Sequence, residues 1–277
     1  MIAAERLADR EEIAAFLRRD TFLHLYEIGD LDDFFWPHTT WFGLRTRGAG
    51  GELAAVALLY RATDLPVLLA LSAPPLAPLA DLLAAIRPDL PPRFYSHLSG
   101  DLARTMVHAY RAEPHGTHWK MALVDPARAL AADAVAAAAA VQLTPADRPA
   151  IEELYRASYP GNWFDARMLE TGQYFGIREG SELVSVAGVH VYSARHRVAA
   201  LGNVTTRPDR RGRGLALAAS ARLVRSLLAT TDHIGLNVAA GNAAAIACYE
   251  RLGFARIGSY EEALFVAGGA GAADRLE

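Results

Sequence analysis

Apolar residues recur along this chain with two different periods, and the succession of periods runs twice. In the second half, Asp147 reads as a helix N-cap with Pro149 in the first turn, and Ile151, Leu154 and Tyr155 follow at helical spacing. Three runs rich in Val, Tyr and Ile, at 173–178, 182–192 and 197–206, read as strands separated by Gly180 and by Ala194-Arg195-His196. Leu215, Ala219, Leu223 and Leu227 then repeat every four residues, which is one face of a helix. A short strand at 233–238, a helix over 242–251 stopped by Gly253, and closing strand character over 254–266 complete the series. The first half follows the same order. It has helical character over 16–33, strands at 40–45, 53–60 and 67–71, and a helix face of Leu76, Leu79, Leu82, Leu83 and Ile86. A strand at 94–98, a helix over 101–110 and a strand at 117–124 come after it. The alanine-rich stretch 125–140 favours a stiff helical linker.

The two halves also match residue by residue. Trp41-Phe42-Gly43-Leu44-Arg45 parallels Tyr174-Phe175-Gly176-Ile177-Arg178, and the run from Glu52 to Ala57 parallels that from Glu182 to Ala187. Asp9-Arg10-Glu11-Glu12-Ile13 parallels Asp147-Arg148-Pro149-Ala150-Ile151. Three matches in the same order, at equivalent positions, predict two copies of one fold. The expected class is α/β of the α+β kind: two tandem domains, each a mixed, mostly antiparallel sheet flanked by helices. The expected boundaries are a first domain over 1–124, the linker over 125–140 and a second domain over 141–277.

Composition removes several classes of function. A net charge of −3 gives no global attraction to nucleic acid or anionic membrane. The single cysteine, Cys248, excludes a disulfide framework and a cysteine-based metal site within one chain. The start of the chain is charged early and lacks an apolar signal core, and the longest apolar stretch, Ala131 to Val141, is too short to span a bilayer. The expectation is a soluble, cytoplasmic protein, monomer or homodimer, with no nucleic-acid, membrane or metal partner. The histidines His108, His115 and His118 read as surface residues. The acids between His24 and Trp41 read as a solvated helix face.

The densest chemical signal is Val204-Thr205-Thr206-Arg207-Pro208-Asp209-Arg210-Arg211-Gly212-Arg213-Gly214-Leu215-Ala216, a strand entering a glycine-containing loop that opens a helix. Glycines let the backbone approach a ligand, and a helix N-terminus offers unpaired N–H groups and roughly half a positive charge. That combination suits a pyrophosphate, with Arg211 and Arg213 adding bidentate donors. No Gly-Lys-Ser/Thr comes after it, and the glycine spacing is not that of a dinucleotide fingerprint. In the first half the equivalent segment is Leu71-Ser72-Ala73-Pro74-Pro75-Leu76-Ala77-Pro78, without glycine or arginine and with three prolines that remove amide donors.

About thirty residues after the loop comes the run from Asn242 to Phe254, ending Cys248-Tyr249-Glu250-Arg251-Leu252-Gly253-Phe254. Together the two segments resemble the GNAT superfamily of acyl-CoA N-acyltransferases, whose loop is Gln/Arg-x-x-Gly-x-Gly/Ala. That family's last helix carries Asn, then Tyr, then Leu-Gly-Phe. The resemblance covers about 125 residues; Asp209 stands where the family usually has Gln or Arg. It implies acetyl-CoA or another acyl-CoA as co-substrate. The backbone of Val204 and Thr206, flanking Thr205, would pair with the pantetheine arm, and the amides of Arg211, Gly212, Arg213, Gly214, Leu215 and Ala216 would hold the pyrophosphate. Asn242 would touch the arm from the other side, and Tyr249 would point its hydroxyl at the thioester sulfur. Trp163 and Phe164 fall where such proteins build the acceptor pocket. A first copy without the loop resembles the glycine N-acyltransferase-like branch of tandem enzymes, with mycothiol synthase-like enzymes as the other comparison.

The base is harder to read. The fourth strand of the second copy holds no carboxylate, leaving His190, Tyr192, His196 and Asn203 as the nearest polar groups, with His190 the candidate base and Asn203 a candidate acceptor contact. Neutralising a lysine-type amine at pH 7 costs roughly 4.6 kcal/mol, against about 1 kcal/mol for an α-amino group. A site without a carboxylate therefore suits a low-pKa primary amine, such as that of an amino acid. Two other readings stay open: a module that binds acyl-CoA or another ligand without turnover, and a protein N-acetyltransferase.

Overall fold

The computed structural model describes residues 4–46, 51–132 and 134–268. The outer ends of the expected domains, 1–3 and 269–277, lie outside the described residues. The chain divides into two compact units.

The first unit comprises Met1–His118 together with Ser259–Glu277. It opens with β1 (Ala4–Leu7), α1 (Arg10–Leu17), α2 (Leu25–Gly29), β2 (Thr39–Arg45), β3 (Leu53–Tyr60), β4 (Val67–Ala70), α3 (Ala77–Ile86) and β5 (Arg93–Leu98). A 14-residue strand, β6 (Tyr110–Leu123), comes next. β1 to β4 pair antiparallel in chain order, and β4 with β5 is parallel. Leu79, Leu82, Leu83 and Ile86 of α3 bury against Phe42, Leu44, Leu59, Leu68, Phe94 and Leu98. Ala263 and Phe265 complete that core.

The second unit is Trp119–Gly258. After two short helices, α4 (Pro126–Ala131) and α5 (Ala134–Ala138), come β7 (Val141–Gln142), α6 (Arg148–Ser158), β8 (Phe175–Glu179), β9 (Glu182–Ser193) and β10 (Val198–Thr206). α7 (Leu215–Leu227), β11 (His233–Ala239), α8 (Ala243–Arg251) and β12 (Phe254–Ala267) complete the order. β7 to β10 pair antiparallel in order and β10 with β11 is parallel, which is the pattern of the first unit. Ala219, Leu223 and Leu227 of α7 are fully buried, as their four-residue spacing predicts.

The matched arginines of the two copies do similar work, but the matched aspartates do not: Asp9 caps its helix, whereas the Asp147 side chain, expected as an N-cap, accepts from the amide and hydroxyl of Thr144 and makes no cap bond to α6. Asp9 accepts hydrogen bonds from the amides of Glu11 and Glu12 and so caps α1. Arg45 ties β2 to that helix through a two-point contact with Glu12 (2.6 and 2.9 Å). Arg178, its equivalent on β8, binds Asp147 at the start of α6 (2.6 Å).

Several expectations change. Residues 101–110 hold a 3-10 turn, Leu102–Thr105, rather than a helix, and the 16–33 stretch is helical only in pieces. The alanine-rich segment is two short helices instead of one rod. Glu27 and Asp30 are buried, not solvated; burial and the neighbouring Glu27 carboxylate push Asp30 well above the usual carboxylate range. The last strand leaves the copy it begins in: Glu261–Val266 pair antiparallel with Arg93–Leu98 inside the first unit. Conversely, 119–123 of β6 belong to the second unit, where β6 is the neighbour of β11.

Candidate active site

The site of the second unit begins where β10 and β11 part. Their parallel register covers Val198–Leu201 against His233–Leu236 and then stops, while β10 runs on to Thr206. The register against β9 also shifts, between Ala200 and Leu201 and again between Gly202 and Thr205. The chain takes up that irregularity at Asn203, a buried residue with φ of 55°. Beyond it, the amide of Arg207 bonds the carbonyl of Val184 on β9. Strand alternation therefore turns the backbone groups of Thr206 and Val204 away from β9, toward the gap left by β11. These are the groups expected to meet an extended ligand.

The loop after β10 is charged but largely self-neutralised. Arg207 pairs with Glu182 and Asp209, and Arg210 with Glu179 and Asp209. Asp209, which sits where a glutamine or arginine was expected, is thus held between two guanidiniums; the hydrogen bond from Arg207 lowers its pKa. Arg211 donates to the carbonyls of Thr206 (3.2 Å) and Ser158 (3.1 Å), tying the loop to the end of α6. Arg213 remains half-exposed, 3.8 Å from Glu179.

Gly212 (φ 77°) and Gly214 (φ 78°) adopt left-handed conformations, and open space surrounds the position of a Cβ at either one. Their role is therefore conformational. The first turn of α7 leaves its amides without intrahelical partners, and no backbone hydrogen bond among the described residues uses those of 212–217. The geometry fits an anion: free N–H groups at the positive end of a 13-residue helix.

Tyr249 lies buried on the inner face of α8 beside Ile246, its ring edge-on to Phe254 at 6.0 Å. Burial raises its pKa well above the ordinary phenol, with smaller contributions from Cys248 and Tyr159. Asn242 caps α8, its side chain accepting from the amide of Ala245 (3.1 Å). That oxygen is committed to the helix. Cys248 is half-buried and burial pushes its thiol up to about 11, the setting of an inert cysteine.

On the α6 side of the sheet, Tyr155 donates to the carbonyl of Asn203 (2.8 Å), and the side-chain amide of Asn203 donates to the hydroxyl of Tyr174 (3.1 Å). Tyr174 gives its own proton to the carbonyl of Val189 (3.2 Å). Phe164 packs against both tyrosines, at 5.2 and 5.9 Å. The ring of His190 lies against Gly202, where any Cβ would come within 2.0 Å of it. Trp163 is 42% exposed. A cleft of about 380 Å³ opens at the end of α6, lined by Tyr155, Arg156, Tyr159, Asn162 and Phe164 among others. The roles of Tyr155 and Tyr174 are not legible from the sequence: their spacing marks core, and only the irregularity at Asn203 gives them polar work. No group of three or more metal-ligating side chains occurs among the described residues. No helix among them is long and apolar enough to cross a membrane.

Residues 138–254 match the family described as "Acetyltransferase (GNAT) family". Among solved structures, a Drosophila protein superposes with a TM-score of 0.69 at 12% identity, covering 96% of this chain and 99% of its own. A tandem GNAT protein from the clavulanic acid biosynthesis pathway gives 0.57 at 16% identity, over 98% of this chain and all of its own (100%). A GCN5-related N-acetyltransferase from Sphaerobacter thermophilus gives 0.57 at 16% identity, over 96% of each chain. At these identities the likeness is one of fold. No curated protein matches.

Proposed function

We propose, from the match of residues 138–254 to the acetyltransferase (GNAT) family, that the protein transfers an acetyl or other short acyl group from acyl-CoA to the primary amine of a small molecule. The observation that carries the reading is the gap between β10 and β11, continued by the free amides of the Gly212–Gly214 loop. An extended pantetheine arm would lie in the gap against Val204 and Thr206, with its pyrophosphate on the first turn of α7.

The amine nitrogen attacks the thioester carbonyl, the C–N bond forms and the C–S bond breaks. Tyr249 faces the sulfur in this reading. A thiol titrates near 8.5 and a phenol near 10, so full proton transfer is uphill by roughly 2 kcal/mol, and burial of Tyr249 widens the gap. The hydroxyl acts as a hydrogen-bond donor to the developing thiolate. The proton leaving the amine passes to His190 or to water, since β10 holds no carboxylate. Such a site favours amines that are already partly neutral near pH 7.

Among its described residues the first unit has no comparable gap and loop, which supports reading it as a degenerate copy, as in the glycine N-acyltransferase-like branch. Release of CoA thiol, followed across amino acids, polyamines and peptides, tests the reading. Acyl-CoA binding with no thiol release for any amine would favour a ligand-binding module instead.

A further inference from the structure

The cleft at the end of α6 has a chemical bias of its own. Glu152 and Arg156 are four residues apart with the acid on the N-terminal side, the favoured arrangement for a helical ion pair. The structure does not make it. Glu152 turns back to Arg148 at 2.6 Å. Arg156 is exposed and takes part in no hydrogen bond or ion pair among the described residues. Its neighbours differ: Arg167 is closed by Asp165, Arg178 by Asp147, and the arginines at 207 and 210 by the acids around them. Arg156 therefore brings a guanidinium with no ion-pair partner to a cleft whose other walls include Glu152, itself held by Arg148, and Tyr155, Tyr159 and Phe164. Tyr159, in turn, lies within electrostatic reach of the Tyr249 hydroxyl.

A guanidinium presents a planar fork that matches a carboxylate. We infer that the acceptor carries a carboxylate as well as its amine, and that Arg156 holds the carboxylate in this cleft. The inference rests on the acyltransferase reading but uses none of the residues assigned to acyl-CoA. The acceptor class is then amines that carry a carboxylate, of which the α-amino acids are the simplest.

The test compares alanine, alaninamide and ethylamine as acceptors for the full-length protein with acetyl-CoA. The wild type should prefer alanine over the other two by roughly tenfold or more in kcat/KM, the scale of one charge-assisted contact. In Arg156→Gln the alanine-to-alaninamide ratio should collapse toward one through KM rather than kcat, and Arg156→Lys should restore part of it. An equal preference in the wild type, or a ratio unmoved by Arg156→Gln, overturns the inference. So does a rise confined to the KM for acetyl-CoA, which would place a CoA phosphate on Arg156. If no amine is acylated at all, the acyltransferase reading is what fails. Calorimetric titration of alanine against alaninamide, into wild type and Arg156→Gln, then still decides the carboxylate site.

Discussion

Both units bring a parallel strand pair to the same point, and there they part company. In the second unit, β10 outruns its pairing with β11 by five residues, 202–206, and its outward backbone groups face a gap. In the first unit, β4 is only four residues long and every one is paired, Val67–Ala70 with Tyr95–Leu98. The end is then sealed: the amide of Ser99 bonds the carbonyl of Ala70 (3.2 Å), and the Ser99 hydroxyl accepts from the amide of Ser72 (3.0 Å). The proline segment comes next, leading into a helix, α3, whose entry at Leu76 has ordinary φ and no left-handed glycine. The scaffold is repeated, but the space for a ligand is not. The candidate site lies where strand pairing is given up.

The largest expected effect concerns the copies as folding units. A fragment starting at residue 140 lacks 119–123, the stretch of β6 that belongs with the second unit. It should show no cooperative melt by circular dichroism. A stable fragment of native helicity that binds CoA at full affinity would mean that the units are independent after all.

Next comes the loop. Calorimetry on the full chain should give one CoA per chain, and Gly214→Val should weaken binding by at least about tenfold. A left-handed conformation costs a β-branched residue on the order of 1–3 kcal/mol, while the open space around Gly214 leaves no clash to unfold the helix. An unchanged circular dichroism spectrum should accompany the loss. Two equivalent sites, or full affinity in the variant, would erase the contrast between the units.

Tyr249→Phe should lower kcat by more than about tenfold with CoA affinity nearly intact, the mark of an interaction made in the transition state. Because burial raises the Tyr249 pKa, its proton is retained through the ordinary phenol range, and the rate profile should show no fall from this group below about pH 10. The smallest effect belongs to Asp209→Gln. Two guanidiniums already offset that carboxylate at an exposed position, so CoA affinity should change by less than about threefold. A larger gain would show that Asp209 repels the pyrophosphate.

Much of this is legible in the sequence because it rests on local rules. The spacing of Ala219, Leu223 and Leu227 fixes a buried helix face wherever that helix packs, with Leu215 half-buried at its start. The pairing of Arg45 with Arg178 in the repeat likewise carries its own function, tying a strand to the preceding helix. The features that escape depend on tertiary context. The 101–110 stretch has helical composition, yet only one 3-10 turn forms there. Glu27 and Asp30 look solvated because acids usually are, and only packing buries them. The polar ring around Asn203 is hidden because a bulge and a positive φ leave no signature in residue type. Nothing in the pattern over 254–266 marks the point at which the last strand changes units, since its alternation serves either one.

That last strand also sets a schedule. The core of the first unit contains Ala263 and Phe265, which are translated about 140 residues after His118. At synthesis rates of roughly 5–20 residues per second, the delay is on the order of 7–30 s. Throughout that interval the earlier copy has emerged from the ribosome without its closing strand, and β5 presents an open edge. The N-terminal copy cannot finish first, as tandem domains generally do; it waits until the whole of the later copy has been synthesised and is completed last.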